Sequence, residues 1–293
     1  MRIVFIGAVK FSETCLRKLI SIDEQPVGVC TIEKSSFNTD HVDLKQLCNE
    51  NNIPVKYTPD INSTKNIEWI RSHNPDVIFC FGWSRLLKSE LLKIAPLGVV
   101  GYHPAALPAN RGRHPLIWAL VLGLSEIAST FFFMDKGVDS GDVLSQQCIS
   151  IAEKDDAETL YQKVIQTALN QLEQFVPAFA SSDFQRIPQN HSKANTWRKR
   201  NRNDGKIDWR MTAKSIHNLV RGLTKPYAGA HFDLNDKQIK VWRTKVICNQ
   251  EIYIEPGKVL AVRAEGIVIK AGQDSIQLRD IEPSIEIAPG TYL

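Results

Sequence analysis

No two of the six cysteines stand at CxxC spacing. Cys15, Cys30, Cys48, Cys80, Cys148 and Cys248 occur singly, several inside apolar runs where cysteine behaves as a small hydrophobe. That pattern argues against a zinc ribbon or a thioredoxin-like redox pair and suits a reducing cytoplasm. No apolar run approaches the roughly 20 residues of a membrane-crossing helix. The strand-like Arg2-Ile3-Val4-Phe5-Ile6 opens the chain without a charged leader and cleavage site. A cytoplasmic protein that spans no membrane is expected. Nucleotide signatures are missing as well: Ile6-Gly7-Ala8-Val9-Lys10-Phe11-Ser12 holds one glycine rather than GxGxxG, and there is no GxxxxGK[ST], HExxH or GxSxG. Seven histidines are scattered without ligand spacing, so no metal is expected.

Neither sign of charge dominates. Lys and Arg number 36 against 32 Asp and Glu, a net +4 that can attract phosphates without demanding a nucleic acid. The densest basic run, Trp197-Arg198-Lys199-Arg200-Asn201-Arg202, reads as a solvated linker in preference to an RNA-binding patch.

What the 293 residues do hold is an alternation of short β-branched runs with helical stretches, the mark of βαβ units and a mostly parallel sheet. Strands are expected at Arg2–Ile6, Val27–Thr31, Val77–Phe81, Val99–His103 and Thr130–Met134. Helices are expected at Ser12–Ile20, Leu44–Asn51, Ile67–His73, Ser89–Ile94 and Leu116–Leu122, with Ser12 and Ser89 as N-caps and Pro115 in a first turn. A longer helix over Asp156–Phe179 carries an apolar stripe from Leu160 to Phe179, read as core packing. The pattern then degrades. After a helix at Thr212–Leu223, five short strand-like runs between His231 and Ile281 suggest a small barrel of the oligonucleotide/oligosaccharide-binding (OB) type. The fold class expected is thus α/β: a Rossmann-like, mostly parallel sheet domain over 1–190, a linker over 191–205, and a small OB-like C-terminal domain over 206–293.

Two stretches carry chemistry. Gly101-Tyr102-His103-Pro104-Ala105-Ala106-Leu107-Pro108-Ala109-Asn110-Arg111-Gly112-Arg113-His114-Pro115 puts His103 at the carboxyl end of a strand, where open α/β sheets form their sites, on a loop stiffened by proline. Ser129 to Asp142 is another apolar strand running into a turn rich in Asp and Gly, from which a carboxylate can reach His103 if the strands are neighbours. Taken singly, His103 suits a structural hydrogen bond and Asp139 a turn.

Together they carry more. His-Pro-x-x-Leu-Pro at 103–108, the Arg-Gly that follows, and Asp-x-Gly-x-Asp-x-Gly at 135–141 resemble the N10-formyltetrahydrofolate-dependent formyltransferases. Asp204-Gly205-Lys206-Ile207-Asp208-Trp209 and Pro226-Tyr227-Ala228-Gly229-Ala230 are similar to the linker and C-terminal domain of the two-domain members. The resemblance implies catalytic roles for His103 and Asp139, with N10-formyltetrahydrofolate as formyl donor and co-substrate. The histidine would stabilise an oxyanion or relay a proton, and the aspartate would orient the ring or accept a proton through water. It also implies a pterin-holding segment at Phe81, Gly82, Trp83, Arg85 and Leu87 and a second at Lys136, Gly137 and Val138. One position departs: the family pattern has Asn two residues before the histidine, where this chain has Gly101. Loss of such an oxyanion donor costs on the order of 3 kcal/mol in comparable sites, and Asn110 is one substitute to consider.

The amine is the remaining choice. Glu33 to Leu44 is short and nearly neutral, where methionyl-tRNA formyltransferases usually carry a longer basic insertion; this stretch resembles the sugar-nucleotide N-formyltransferases. The expected acceptor is a nucleotide-linked amino sugar of surface polysaccharide synthesis, met by Lys10, Asn110, Arg111 and Arg113. Methionyl-tRNA is the alternative, and a non-catalytic folate or sugar-nucleotide binding protein on the same fold a third. A homodimer through the C-terminal domain is compatible with the sequence.

Overall fold

The computed structural model describes residues 1–35 and 40–293, so part of the 33–44 stretch lies outside the described residues. The chain runs β1 (Ile3–Ile6), α1 (Lys10–Ser21), β2 (Gly28–Thr31), α2 (Lys45–Glu50), β3 (Val55–Tyr57), α3 (Thr64–Ser72), β4 (Val77–Cys80), α4 (Ser89–Leu92) and β5 (Val99–His103). It continues with β6 (Arg111–Gly112), α5 (Pro115–Val121), β7 (Glu126–Phe133), β8 (Val143–Ser150), α6 (Ala157–Ala180) and β9 (Thr196–Trp197). The rest comprises α7 (Ala213–Leu223), β10 (Ala230–Leu234), β11 (Lys237–Ile247), β12 (Val259–Arg263), β13 (Gly266–Lys270) and β14 (Ser275–Glu282).

Seven strands form one sheet in the order β3-β2-β1-β4-β5-β7-β8. From β3 to β5 every pairing is parallel, and β7 runs antiparallel to β5 with His103 opposite Thr130. The central strands Ile-Val-Phe-Ile and Val-Ile-Phe-Cys are buried at every residue, as strands covered on both faces must be. Phe79 and Phe131 meet Phe81, Phe175 and Phe179 in edge-on and stacked contacts, so α6 closes one face. Aromatic pairs of this kind add about 0.5–1.5 kcal/mol each beyond burial.

Differences from the sequence reading have local causes. Helix α1 begins at Lys10, ahead of Ser12. The Ser12 hydroxyl instead works from inside the first turn, accepting from the Ala8 and Val9 amides at 3.1 and 3.2 Å and donating to the Phe81 carbonyl at 2.6 Å. It ties the loop after β1 to the loop after β4. Similarly, Ser89 follows the N-cap Lys88, whereas Pro115 does open α5. Strands β3 and β8 carried no clear signal: β3 is three residues long, and the edge strand β8 is half polar.

The second sheet is antiparallel in the order β10-β11-β14-β13-β12. Helix α7 buries Ala213, Ile216, Leu219, Val220 and Leu223 in the core that also holds Phe232, Ile239, Val241, Ile269 and Leu278. Two compact units result: Met1–Gly112, Ile127–Ile149 and Gln162–Trp197 in one, and Arg113–Glu126, Ser150–Tyr161 and Arg198–Leu293 in the other. Residues 191–197, expected in a linker, therefore belong to the first unit. No helix among the described residues is long and apolar enough to cross a membrane.

Candidate active site

In the first unit, the chain leaves β1 and β4 towards opposite sides of the sheet, because β2 and β5 lie on opposite flanks of this adjacent pair. A crevice opens at the carboxyl ends of strands at such a reversal. Here it is a cavity of about 210 Å3 lined by Ala8, Ile32, Ser35, Gly82, Trp83, Ser84 and Arg85. Gly82 adopts φ +67°, and a Cβ there would stand 2.3 Å from Val9 Cγ2, so only glycine lets the loop pass. The Trp83 indole nitrogen is buried without a hydrogen-bond partner among the described residues. A buried N–H of this kind costs roughly 1–3 kcal/mol until something accepts from it.

One strand further on, β5 delivers His103, 5% exposed. Its Nε2 lies 2.8 Å from the Asn110 carbonyl oxygen. A carbonyl can only accept, so Nε2 carries the proton. In the neutral ring, Nδ1 then has the lone pair, and it faces Asp139 Oδ2 at 3.6 Å. That gap exceeds a hydrogen bond but suits an ion pair once Nδ1 is protonated. The same carboxylate oxygen accepts from the Gly112 amide at 2.9 Å, which fixes where it points. The arrangement leaves Nδ1 able to accept a proton, beside a carboxylate that would balance the resulting imidazolium.

The surrounding bonds hold this geometry. Thr130, opposite His103, donates to the Ala105 carbonyl at 2.6 Å, and Gln146 donates at 3.0 Å to both Thr130 Oγ1 and the Leu107 carbonyl. Gln189, 7% exposed, donates to the carbonyls of Asp139 at 2.9 Å and Gly141 at 2.6 Å.

Residues 1–176 match the formyl transferase family, and residues 199–288 match the formyl transferase C-terminal domain. The chain belongs to the formyl transferase family. The methionyl-tRNA formyltransferase of Desulforamulus reducens is 32% identical over 286 residues, covering 96% of this chain and 90% of that protein. Among solved structures, WlaRD, a sugar 3N-formyl transferase in the presence of dTDP and 5-N-formyl-THF, aligns with a TM-score of 0.71 at 17% identity over 97% of this chain and 99% of that one. An N-formyltransferase from Helicobacter canadensis, in complex with folinic acid and dTDP-3-aminofucose, gives a TM-score of 0.70 at 18% identity over 95% and 99%. At these identities the two structures speak for the fold.

The one departure from the formyltransferase pattern, Gly101, has a structural counterpart. A Cβ at Gly101 would lie 2.8 Å from Met134 Cγ and 3.1 Å from its sulfur. The thioether of Met134 fills the space that a larger side chain at 101 would take. Asn110, considered from sequence as a substitute donor, contributes its backbone carbonyl to His103. Its side-chain oxygen accepts from Asn195 at 3.1 Å.

The remaining sequence-derived residues fall into distinct places. Gly82, Trp83 and Arg85 line the cavity, while the side chains of Phe81 and Leu87 are core. Lys136, Gly137 and Val138 form an exposed turn pinned by Asp135, which accepts from the Gly137 amide at 2.9 Å and the Ser140 hydroxyl at 2.6 Å. Arg111 commits its guanidinium to Gln189 Oε1 at 2.5 Å and His191 Nδ1 at 3.1 Å. Lys10 pairs with Glu13 at 2.7 Å, and Arg113 belongs to the second unit.

Thiol chemistry is poorly served at the strand ends. Burial pushes the Cys30 thiol up to about 12, with Lys56 pulling slightly the other way, and pushes Cys80 higher still. Neither offers a thiolate at neutral pH. Sequence reasoning missed Gln189, at the end of the expected sheet domain, and Asn195, in the stretch read as linker. The pairing of β6 with β9 brings Asn195 here, and the bridge between Val143 and Ile187 brings Gln189.

Proposed function

We propose that this chain transfers the formyl group of N10-formyltetrahydrofolate to the amine of a nucleotide-linked amino sugar. The observation that carries the chemistry is the His103–Asp139 pair, with Nε2 protonated and Nδ1 open towards the carboxylate. The donor supplies an activated formyl carbon. His103 Nδ1 takes the proton that the attacking amine loses and returns it to the departing nitrogen, and Asp139 balances the imidazolium in between. The cavity lined by Gly82, Trp83 and Arg85, with a buried Trp83 N–H beside it that has no partner among the described residues, supports these three as pterin-side residues.

The sugar reading draws on the short, nearly neutral 33–44 stretch and on the fold shared over nearly full length with sugar formyltransferases. A second reading, methionyl-tRNA, is favoured by the 32% identity to a methionyl-tRNA formyltransferase.

The deciding experiment assays formyl transfer from N10-formyltetrahydrofolate to a panel of nucleotide-linked amino sugars and to methionyl-tRNA, beside His103→Ala. Turnover of one sugar, with weak salt dependence and loss in the variant, is expected. Turnover of charged tRNA alone, falling steeply with salt, would replace the acceptor while keeping the chemistry. Failure of every acceptor would remove the reading.

A further inference from the structure

The stretch from Gln189 to Trp197 holds Asp139 by its backbone and holds Asn110, the partner of His103, by its amide, and it does so with two amide side chains. Gln189 uses its whole amide: Nε2 donates to the Asp139 and Gly141 carbonyls, and Oε1 accepts from Arg111. Asp139 sits at φ +51°, a conformation that L-residues adopt reluctantly, and the Gln189 bond to its carbonyl falls on that residue. Asn195 does the same for the histidine side. Its Oδ1 accepts from the Asn110 amide at 2.8 Å, its Nδ2 donates to Asn110 Oδ1 at 3.1 Å, and its carbonyl accepts from the Arg111 amide at 3.1 Å. Asn110 is likewise left-handed, at φ +64°. Its carbonyl is the acceptor that keeps the proton on His103 Nε2.

We propose that Gln189 and Asn195 are positioning residues: Asn195 sets the His103 tautomer through Asn110, and Gln189 sets the Asp139 carboxylate through its backbone. The inference rests on His103 and Asp139 being the reacting pair. Without Asn195, the Asn110 carbonyl loses its left-handed anchor, and the imidazole proton can redistribute between its two nitrogens. A ring protonated on Nδ1 has no lone pair towards Asp139, so the fraction of enzyme able to accept a proton falls. Without the Gln189 donors, the left-handed Asp139 backbone loses a support, and its carboxylate, then held by the Gly112 amide alone, shifts relative to Nδ1. Misplacements near 1 Å cost about a hundredfold in rate, so smaller ones on the order of tenfold are expected.

The test uses the whole chain. Nitrogen-15 NMR of the histidine rings, recorded without substrates above the pH of imidazole titration, reports the His103 tautomer directly. The wild type should show the Nε2-protonated form. Asn195→Ala should show a mixture, with kcat down about tenfold, KM within twofold, and an unchanged melting temperature. Gln189→Met, similar in volume but unable to donate, should leave the tautomer intact and lower kcat while altering the shape of its pH profile. If Asn195→Ala melts early, Asn195→Asp, which keeps the acceptor for the Asn110 amide but replaces the donor to Asn110 Oδ1 with a charged acceptor, serves in its place. A wild-type His103 protonated on Nδ1, or an Asn195 variant whose tautomer and kcat match the wild type, would overturn the proposal. Because the spectra need no acceptor, they decide it even if the proposed acceptor is wrong.

Discussion

The two sides of the site are built on opposite plans. Around His103 the polar atoms are tied off: Asn110 holds Nε2, Gly112 holds the Asp139 carboxylate, and Thr130, Gln146 and Gln189 take up the loop carbonyls nearby. One strand earlier in the sheet order, the 82–85 loop lines an open cavity, and its indole N–H is buried and has no partner among the described residues. The first side has its geometry before any substrate arrives, which is what a proton-transferring group requires. The second keeps an unsatisfied donor, which is what recognition of a polar heterocycle requires.

If the contrast is real, substitutions on the two sides will fail in different kinetic terms. The largest effect belongs to His103. His103→Ala should lower kcat about a thousandfold, within the usual range for a lost acid–base group, and leave donor KM near its normal value. Asp139→Asn keeps an acceptor for the Gly112 amide but removes the charge, and should cost about a hundredfold. Steady-state kinetics with circular dichroism as a folding control would check both. A large KM effect with kcat preserved would break the division of labour.

The next effect tests the exception inside the ordered side. Gly101→Asn pushes a Cβ to 2.8 Å from Met134 Cγ, so alone it should destabilise the fold by about 1–3 kcal/mol through overpacking. Paired with Met134→Ala it should recover most of that loss and add an amide donor near the strand end. An oxyanion donor contributes on the order of 3 kcal/mol in comparable sites, so the double variant should exceed Gly101→Asn in kcat at equal folded fraction. Thermal melts and turnover of the four proteins in the cycle read out both terms. Strict additivity in stability would mean that Met134 does not fill the place of the missing side chain.

The same contrast explains what was legible in the sequence. Val77–Cys80 and Val99–His103 announced themselves because a strand buried on both faces must be apolar throughout. His103, at the end of an apolar strand, and Asp139, in the glycine-rich turn after another, stood out only together, through the resemblance of their two motifs to the formyltransferases. Gln189 and Asn195 could not be found that way. They act through backbone carbonyls and amides some 50 to 85 positions away, in a segment whose composition is that of a loop. Their role depends on the pairing of β6 with β9, two residues each, and on a single bridge between Val143 and Ile187, contacts too short to leave a hydrophobic pattern. Likewise β8 alternates poorly because one of its edges has no neighbour in the sheet. Burial writes itself into sequence, whereas a hydrogen bond to someone else's backbone does not.

The smallest effect is also the one that bears most directly on the open side. Trp83→Phe removes the unpaired indole N–H while retaining an aromatic ring in the same apolar surroundings. In the protein without ligand, this takes away a buried donor that no described residue satisfies, so stability should stay level or rise slightly, despite some lost volume. In the presence of the folate donor the sign reverses. A hydrogen bond between neutral groups contributes about 0.5–1.5 kcal/mol, so donor KM should rise roughly threefold to tenfold while kcat holds. Differential scanning fluorimetry with and without folate, beside steady-state kinetics, separates the two signs. A variant less stable alone and unchanged in KM would mean that the indole N–H serves the resting fold, and the cavity would then have to recognise its ligand through backbone groups of Gly82–Arg85 alone.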